Sequence, residues 1–158
     1  MTYVYTKNVA TTFKPFMIYA KQGLYRYSRP TFKKNQRLAY VKHQPRIKAQ
    51  TFKVVGTAQS TKGRTRYLLA DGSYVTARAN FVANLYWQGK DYQKLRVINP
   101  KGTYEYKQPT FNKTKRATYL KKGTVVKVKR LVRHGYMTRY QLTNGHYLTG
   151  NKQWVSVK

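Results

Sequence analysis

Two tyrosine pairs, Tyr25/Tyr27 and Tyr104/Tyr106, are followed at similar spacing by cations: Lys33, Lys34 and Arg37, then Lys113, Lys115 and Arg116. Further basic candidates are Arg66, Lys121, Lys122, Arg139 and Lys152. A phenol ring can stack on a sugar face, donate its hydroxyl to a phosphate, or lie along a lysine stem. Lysine adds a point charge and arginine a bidentate fork for phosphate. Together these residue types suit the holding of a polyanion, not the breaking of a bond. Residues two apart on a strand share a face, so each pair forms a flat platform or gives its rings to a core. The cations likewise form a localised site or a diffuse cationic surface.

Catalytic alternatives lack material. The 158 residues carry 33 Lys and Arg against three acids, Asp71, Asp91 and Glu105, for a net charge of +30. Paired-carboxylate hydrolysis needs two acids close together, and no cysteine is present for thiol chemistry, Cys-based zinc sites or disulfides. His43, His134 and His146 show no ligand spacing, and no GxxxxGK[ST] phosphate loop occurs. The expectation is a non-enzymatic protein without cofactor or metal. Self-repulsion at +30 costs stability, so a fold that tolerates it points to a polyanionic partner: nucleic acid, an anionic membrane surface or a wall polymer. With 41% hydrophobic and 15% aromatic residues the chain is a folded domain, not a polybasic tail. No apolar run approaches the roughly 18 residues of a membrane span. The start, with Thr2, Tyr3, Thr6 and Lys7, lacks a secretory apolar core. The chain is therefore expected to be cytoplasmic or a module of a longer secreted protein.

The elements that position these residues come as a repeat. Gly23, Tyr25, Tyr27, Pro30, Thr31, Phe32, Lys34, Arg37 and Tyr40 recur 79 positions later as Gly102, Tyr104, Tyr106, Pro109, Thr110, Phe111, Lys113, Arg116 and Tyr119. Thr65, Arg66, Tyr67, Leu69, Gly72, Tyr74, Thr76 and Val82 recur 73 positions later as Thr138, Arg139, Tyr140, Leu142, Gly145, Tyr147, Thr149 and Val155. The first copy thus holds six extra residues, placed most simply near Gln50 to Lys62. The expected domains are 1–82 and 83–158.

Asp71-Gly72 and Asn144-Gly145 lie between alternating apolar and polar residues, which predicts type I′ hairpin turns. The strand before the second turn puts Thr138, Tyr140 and Leu142 on one face and Arg139 and Gln141 on the other. Arg66 and Arg139 are accordingly expected to project outward, as the best-placed individual phosphate ligands. A further strand is predicted over 123–129, with a counterpart over 46–55. Helical periodicity is poor, with single turns expected near Lys33 to Leu38 and Lys113 to Ala117. The predicted fold is all-β: two tandem small SH3-like antiparallel barrels.

Phe111-x-Lys113-x-x-Arg116, the Leu120-Lys121-Lys122-Gly123-Thr124 turn, the Val-x-Val strand after it and the Asn144 to Lys152 segment together resemble a lactobacillus surface-protein repeat. The pattern is similar to the SLAP-type cell-wall attachment repeats of S-layer proteins and to an uncharacterised relative found in tandem in secreted lactobacillus proteins. The resemblance implies secretion and non-covalent attachment to the Gram-positive wall. It also implies a teichoic or lipoteichoic acid partner, with peptidoglycan as a second wall component. In the first copy Ala77-Arg78-Ala79-Asn80 replaces Gly150-Asn151-Lys152-Gln153, and the Lys-Lys-Gly turn is absent. The alternative reading is a nucleic-acid-binding protein built from small basic barrels, although Lys outnumbers Arg 21 to 12 and no RNP-type motif appears.

Overall fold

A computed structural model describes residues 13–158. They form fourteen strands and three single 3-10 turns, and no α-helix occurs among them. The first seven strands are β1 (Phe16–Ala20), β2 (Leu24–Tyr27), β3 (Arg37–Val41), β4 (Thr51–Gln59), β5 (Thr65–Leu69), β6 (Tyr74–Thr76) and β7 (Val82–Asn84). The second seven are β8 (Lys94–Val97), β9 (Thr103–Tyr106), β10 (Arg116–Leu120), β11 (Val125–His134), β12 (Met137–Leu142), β13 (Tyr147–Thr149) and β14 (Val155–Val157). The sheet orders, β3-β2-β6-β5-β4-β1-β7 and β10-β9-β13-β12-β11-β8-β14, are the same order twice. Every pairing is antiparallel. The chain is therefore two tandem small all-β units. They divide between Asn84 and Leu85, so a boundary after residue 82 falls inside β7, which is held by pairing with β1.

A sheet with no second layer must curl to bury its apolar face. In the first unit Ile18, Ala20, Val54, Leu69, Val75 and Val82 supply that face. Their counterparts by strand pairing are Leu95, Val97, Val128, Leu142, Leu148 and Val155. Fully burying a side chain such as Leu95 or Val155 stabilises by about 1.5–3 kcal/mol. Curvature comes from register shifts at matching points. The β2–β3 ladder slips at Leu38 and β9–β10 slips at Ala117; β4–β5 slips at Val55 and β11–β12 at Lys129. An extra residue in one strand bends it and raises the local twist.

Several local expectations need correction. The Asp71-Gly72 and Asn144-Gly145 loops are not type I′, which requires positive φ at both central residues. Among the described residues only Phe32 has positive φ outside glycine. Leu69 pairs with Ser73 and Leu142 with His146, each across three residues that end on a left-handed glycine, Gly72 or Gly145. Asp71 and Asn144 keep ordinary negative φ, and their side chains accept the backbone N–H of Ser73 and His146. The strand over 46–55 begins only at Thr51, because a 3-10 turn occupies Arg46–Lys48 after Pro45. That connection, 42–50, holds nine residues against four in 121–124, so five of the six extra residues lie before Thr51. The sixth lies between paired Gln59 and Thr65, which are separated by five residues where Arg133 and Thr138 are separated by four. The predicted helical turns appear as 3-10 turns at Lys34–Gln36 and Lys113–Lys115.

Gly102 combines φ +68° with close approach of Tyr119 and Leu120, so an alanine methyl would collide with the Tyr119 hydroxyl and the Leu120 carbonyl. Gly145, at φ +87°, has open space around it. Gly145→Ala is expected to lower stability by about 1 kcal/mol from backbone strain alone, and Gly102→Ala by clearly more. Urea unfolding of both variants measures the difference; equal losses would contradict the collision.

Candidate functional site

The connection from β2 to β3 folds back over the sheet and brings aromatic rings and guanidinium groups into one stack. Tyr27 lies parallel to Phe32, with ring centroids 4.0 Å apart at 11°. The Arg66 guanidinium lies 3.8 Å from the Phe32 centroid, and its Nε donates to the Pro30 carbonyl at 3.0 Å. Phe32 holds φ at +55°, a strained value for a bulky residue. Beside this stack, Arg37 lies 4.0 Å from the Tyr25 centroid, and Tyr25 meets Tyr40 edge-on at 5.0 Å.

The second unit repeats the arrangement. Tyr106 stacks on Phe111 at 4.2 Å and 9°, Arg139 lies 4.0 Å from Phe111, and Arg139 donates to the Pro109 carbonyl. Arg116 lies 4.1 Å from Tyr104, which meets Tyr119 edge-on at 5.3 Å. The bulges at Leu38 and Ala117 place Arg37 and Arg116 at the pairing positions of Tyr27 and Tyr106.

Arg66 and Arg139 therefore do not project outward into solvent as expected: each is 7% exposed. Strand alternation put them opposite the core, but that second face is covered by the β2–β3 and β9–β10 connections. Burial, then the neighbouring Arg64 charge, makes the Arg66 guanidinium hold its proton less tightly than usual, against an opposing effect of Tyr27. Burial lowers Arg139 in the same way, opposed by Tyr86 and Tyr106. Arginine nonetheless stays charged in proteins, and here a ring face and a carbonyl take the place of a carboxylate.

Each stack floors a groove. In the first unit a cavity of about 370 Å³ is lined by Tyr25, Tyr27, Phe32, Arg66, Arg78 and Phe81 among others. In the second a cavity of about 360 Å³ is lined by Tyr104, Tyr106, Phe111, Arg116, Tyr119 and Trp154 among others. No acid lines either groove. The geometry offers ring faces and phenol hydroxyls beside fixed positive charge.

Two of the three acids sit at one equivalent place, with reversed polarity. In the first unit Arg26 donates to Asp71 at 2.9 Å, and Ser73 donates to the same carboxylate. In the second, the buried Glu105 replaces Arg26 and takes Asn144 at 3.0 Å and His146 at 2.8 Å. His146 thus has a carboxylate partner 41 positions away that sequence spacing did not reveal.

A family described as a Domain of unknown function (DUF5776) matches residues 10–82 and again 86–155. The chain belongs to this family. A comparison with curated proteins returns no match.

Of the residues expected to bind, Tyr25, Tyr27, Arg37 and Arg66 meet in the first DUF5776 copy, and Tyr104, Tyr106, Arg116 and Arg139 in the second. Lys33, Lys34 and Lys113 are exposed on the connections above the stacks, with Lys115 half-buried there. Lys121 and Lys122 lie in the exposed β10–β11 turn, and Lys152 lies 4.9 Å from the Trp87 ring. None of these seven lysines lines either groove. Sequence reasoning missed Phe32, Phe111, Tyr119, Trp154, Arg64 and Arg78. The first three stood in the repeat alignment, where an aromatic kept at the same offset was the available signal.

Arg139→Ala and Arg139→Lys should both destabilise the chain, by roughly 1.5–3 kcal/mol, since each uncovers Phe111 and removes the planar donor from Pro109. Chemical denaturation tests this; unchanged stability with lost ligand binding would restore a surface role. A pH effect follows from Asp71. Burial opposes its ionisation, but the Ser73 hydrogen bonds and then Arg26 outweigh burial and hold its carboxyl below the usual range. Its contribution is present above about pH 4 and is lost as pH falls through the depressed value. Because Asp71 is exposed, Asp71→Asn should remove only about 0.2–1 kcal/mol at neutral pH and flatten the acid limb of the stability curve.

Proposed function

We propose that the chain is a non-enzymatic module that anchors a secreted protein to the Gram-positive wall by holding an anionic polymer such as teichoic or lipoteichoic acid. One observation carries the reading: a groove with a Tyr-Tyr-Phe floor, arginine in its lining and no acid occurs once in each unit. Ring faces suit the C–H surface of a sugar or polyol, and the cations suit the phosphodiesters between them. The units carry equal net charge, sixteen cations less one acid and seventeen less two, or +15 each. Two grooves on one chain let a long polymer engage twice, which raises avidity without new contacts.

The test is binding of the purified chain to walls before and after teichoic-acid extraction. Binding should require the polymer; equal binding to extracted walls would point to peptidoglycan instead. Binding to poly(glycerol phosphate) should fall with salt, by up to on the order of 10³-fold between about 50 and 200 mM if about six phosphates are engaged. Tyr25→Ala/Tyr104→Ala should weaken it further at fixed salt. Tighter binding of single-stranded DNA than of poly(glycerol phosphate) under the same conditions would replace this reading with the nucleic-acid one.

A further inference from the structure

The two grooves differ where the β5–β6 ladder runs out. Arg66 pairs with Thr76, so the next same-face positions are Arg64, two residues before Arg66, and Arg78, two residues after Thr76. Like charges directly across an antiparallel ladder repel. Arg64, Thr65, Arg66, Ala77 and Arg78 nonetheless line one cavity of about 360 Å³, and the three arginines also line the adjoining aromatic groove.

Nothing in the first unit can neutralise this cluster. Its one acid is Asp71, which is taken by Arg26 and Ser73. Arg64 raises the cost of the Arg66 charge, whereas Phe32 and Pro30 fix the Arg66 guanidinium in place. The second unit does not repeat the repulsion. There Arg139 pairs with Thr149, and the positions of Arg64 and Arg78 are held by Met137 and Asn151. Asn151 turns its side chain to the backbone N–H of Gln153 at 2.8 Å. Cations crowded at a cost in one copy, and absent at the same positions in the other, mark a place built for an anion.

We propose that Arg64, Arg66 and Arg78 form a phosphate-binding clamp that only the first unit possesses. Three guanidinium groups present forks that match the oxygens of a phosphate, and Arg66 is already held before the ligand arrives. The shared chemistry is a phosphate oxyanion, either a phosphodiester within a polymer or a small free phosphate. The clamp leans on the wall-polymer reading only for the choice between these sources. With that reading, the first unit grips the charged link of the polymer and the second supplies Trp154 and the tyrosines to its neutral parts.

Isothermal titration of the full chain with inorganic pyrophosphate, and separately with poly(glycerol phosphate), at fixed ionic strength tests the clamp. Arg64→Met/Arg78→Asn installs the residues the second unit already carries, and Lys90→Met/Lys129→Asn removes the same charge elsewhere. The intact chain should bind one pyrophosphate. The arginine pair should lose on the order of 10–100-fold in pyrophosphate affinity, and the lysine pair much less. Equal losses in both variants, no pyrophosphate binding by the intact chain, or several equivalents per chain would overturn the clamp. If the arginine variant unfolds, Met137→Arg/Asn151→Arg decides: a second equivalent supports the clamp, and a stoichiometry still at one overturns it. Pyrophosphate bound through the arginines without poly(glycerol phosphate) binding leaves the clamp standing and removes the wall-polymer reading. Polymer binding that the arginine variant retains as well as the lysine variant, with pyrophosphate binding lost, assigns the clamp to a small free phosphate and leaves the wall-polymer reading standing.

Discussion

A buried guanidinium with no carboxylate to meet it is the constraint around which each unit is arranged. An isolated charge cannot be taken out of water unless other groups replace its hydration. With three acids in the whole chain, Arg66 and Arg139 use the faces of Phe32 and Phe111 and the carbonyls of Pro30 and Pro109. That choice requires the β2–β3 and β9–β10 connections to fold across the sheet. Folding them there stacks Tyr27 on Phe32 and Tyr106 on Phe111, and the stacks then floor the grooves. Structural and functional roles meet in the same side chains: the arginine holds the ring, and the ring shapes the surface.

Comparison of the two copies separates what the fold needs from what is free to change. The Tyr-Phe-Arg stack, the paired bulges and the core positions are kept in both. The hairpin interaction is kept only in kind, since Arg26 with Asp71 becomes Glu105 with Asn144 and His146. Either polarity ties β2 or β9 to the turn of the neighbouring hairpin, so the position keeps a charged hydrogen bond and not a sign. The rim of the groove varies most, with Arg78 against Asn151 and Phe81 against Trp154. Variation confined to the rim of a kept floor is the pattern of one scaffold offering two sets of contacts.

Repetition made the fold legible. A Gly in the same hairpin at Gly72 and Gly145, and alternating apolar residues on both sides, were enough to give an all-β chain in two units. Alternation failed at Arg66 and Arg139 because period-2 reasoning assumes one solvated face, whereas here a loop covers that face. The turn type failed because Asp-Gly and Asn-Gly also suit a three-residue loop in which only the glycine has positive φ. The aromatic half of the site was visible at Tyr25, Tyr27, Tyr104 and Tyr106. The contribution of Phe32 and Phe111 depended on a chain reversal that no local pattern encodes. Arg64 and Arg78 come together only through the β5–β6 register.

The central claim is that an anionic polymer is held in the two aromatic grooves and not by the cationic surface at large. Backbone and side-chain NMR shifts of the full chain, followed while poly(glycerol phosphate) is added, test it most directly. The account predicts early, saturable shifts concentrated at Tyr25, Tyr27, Phe32 and Arg78 in the first unit and at Tyr104, Tyr106, Tyr119 and Trp154 in the second. Small, non-saturating shifts spread evenly over exposed lysines such as Lys62, Lys90 and Lys129, with the groove residues unmoved, would contradict it.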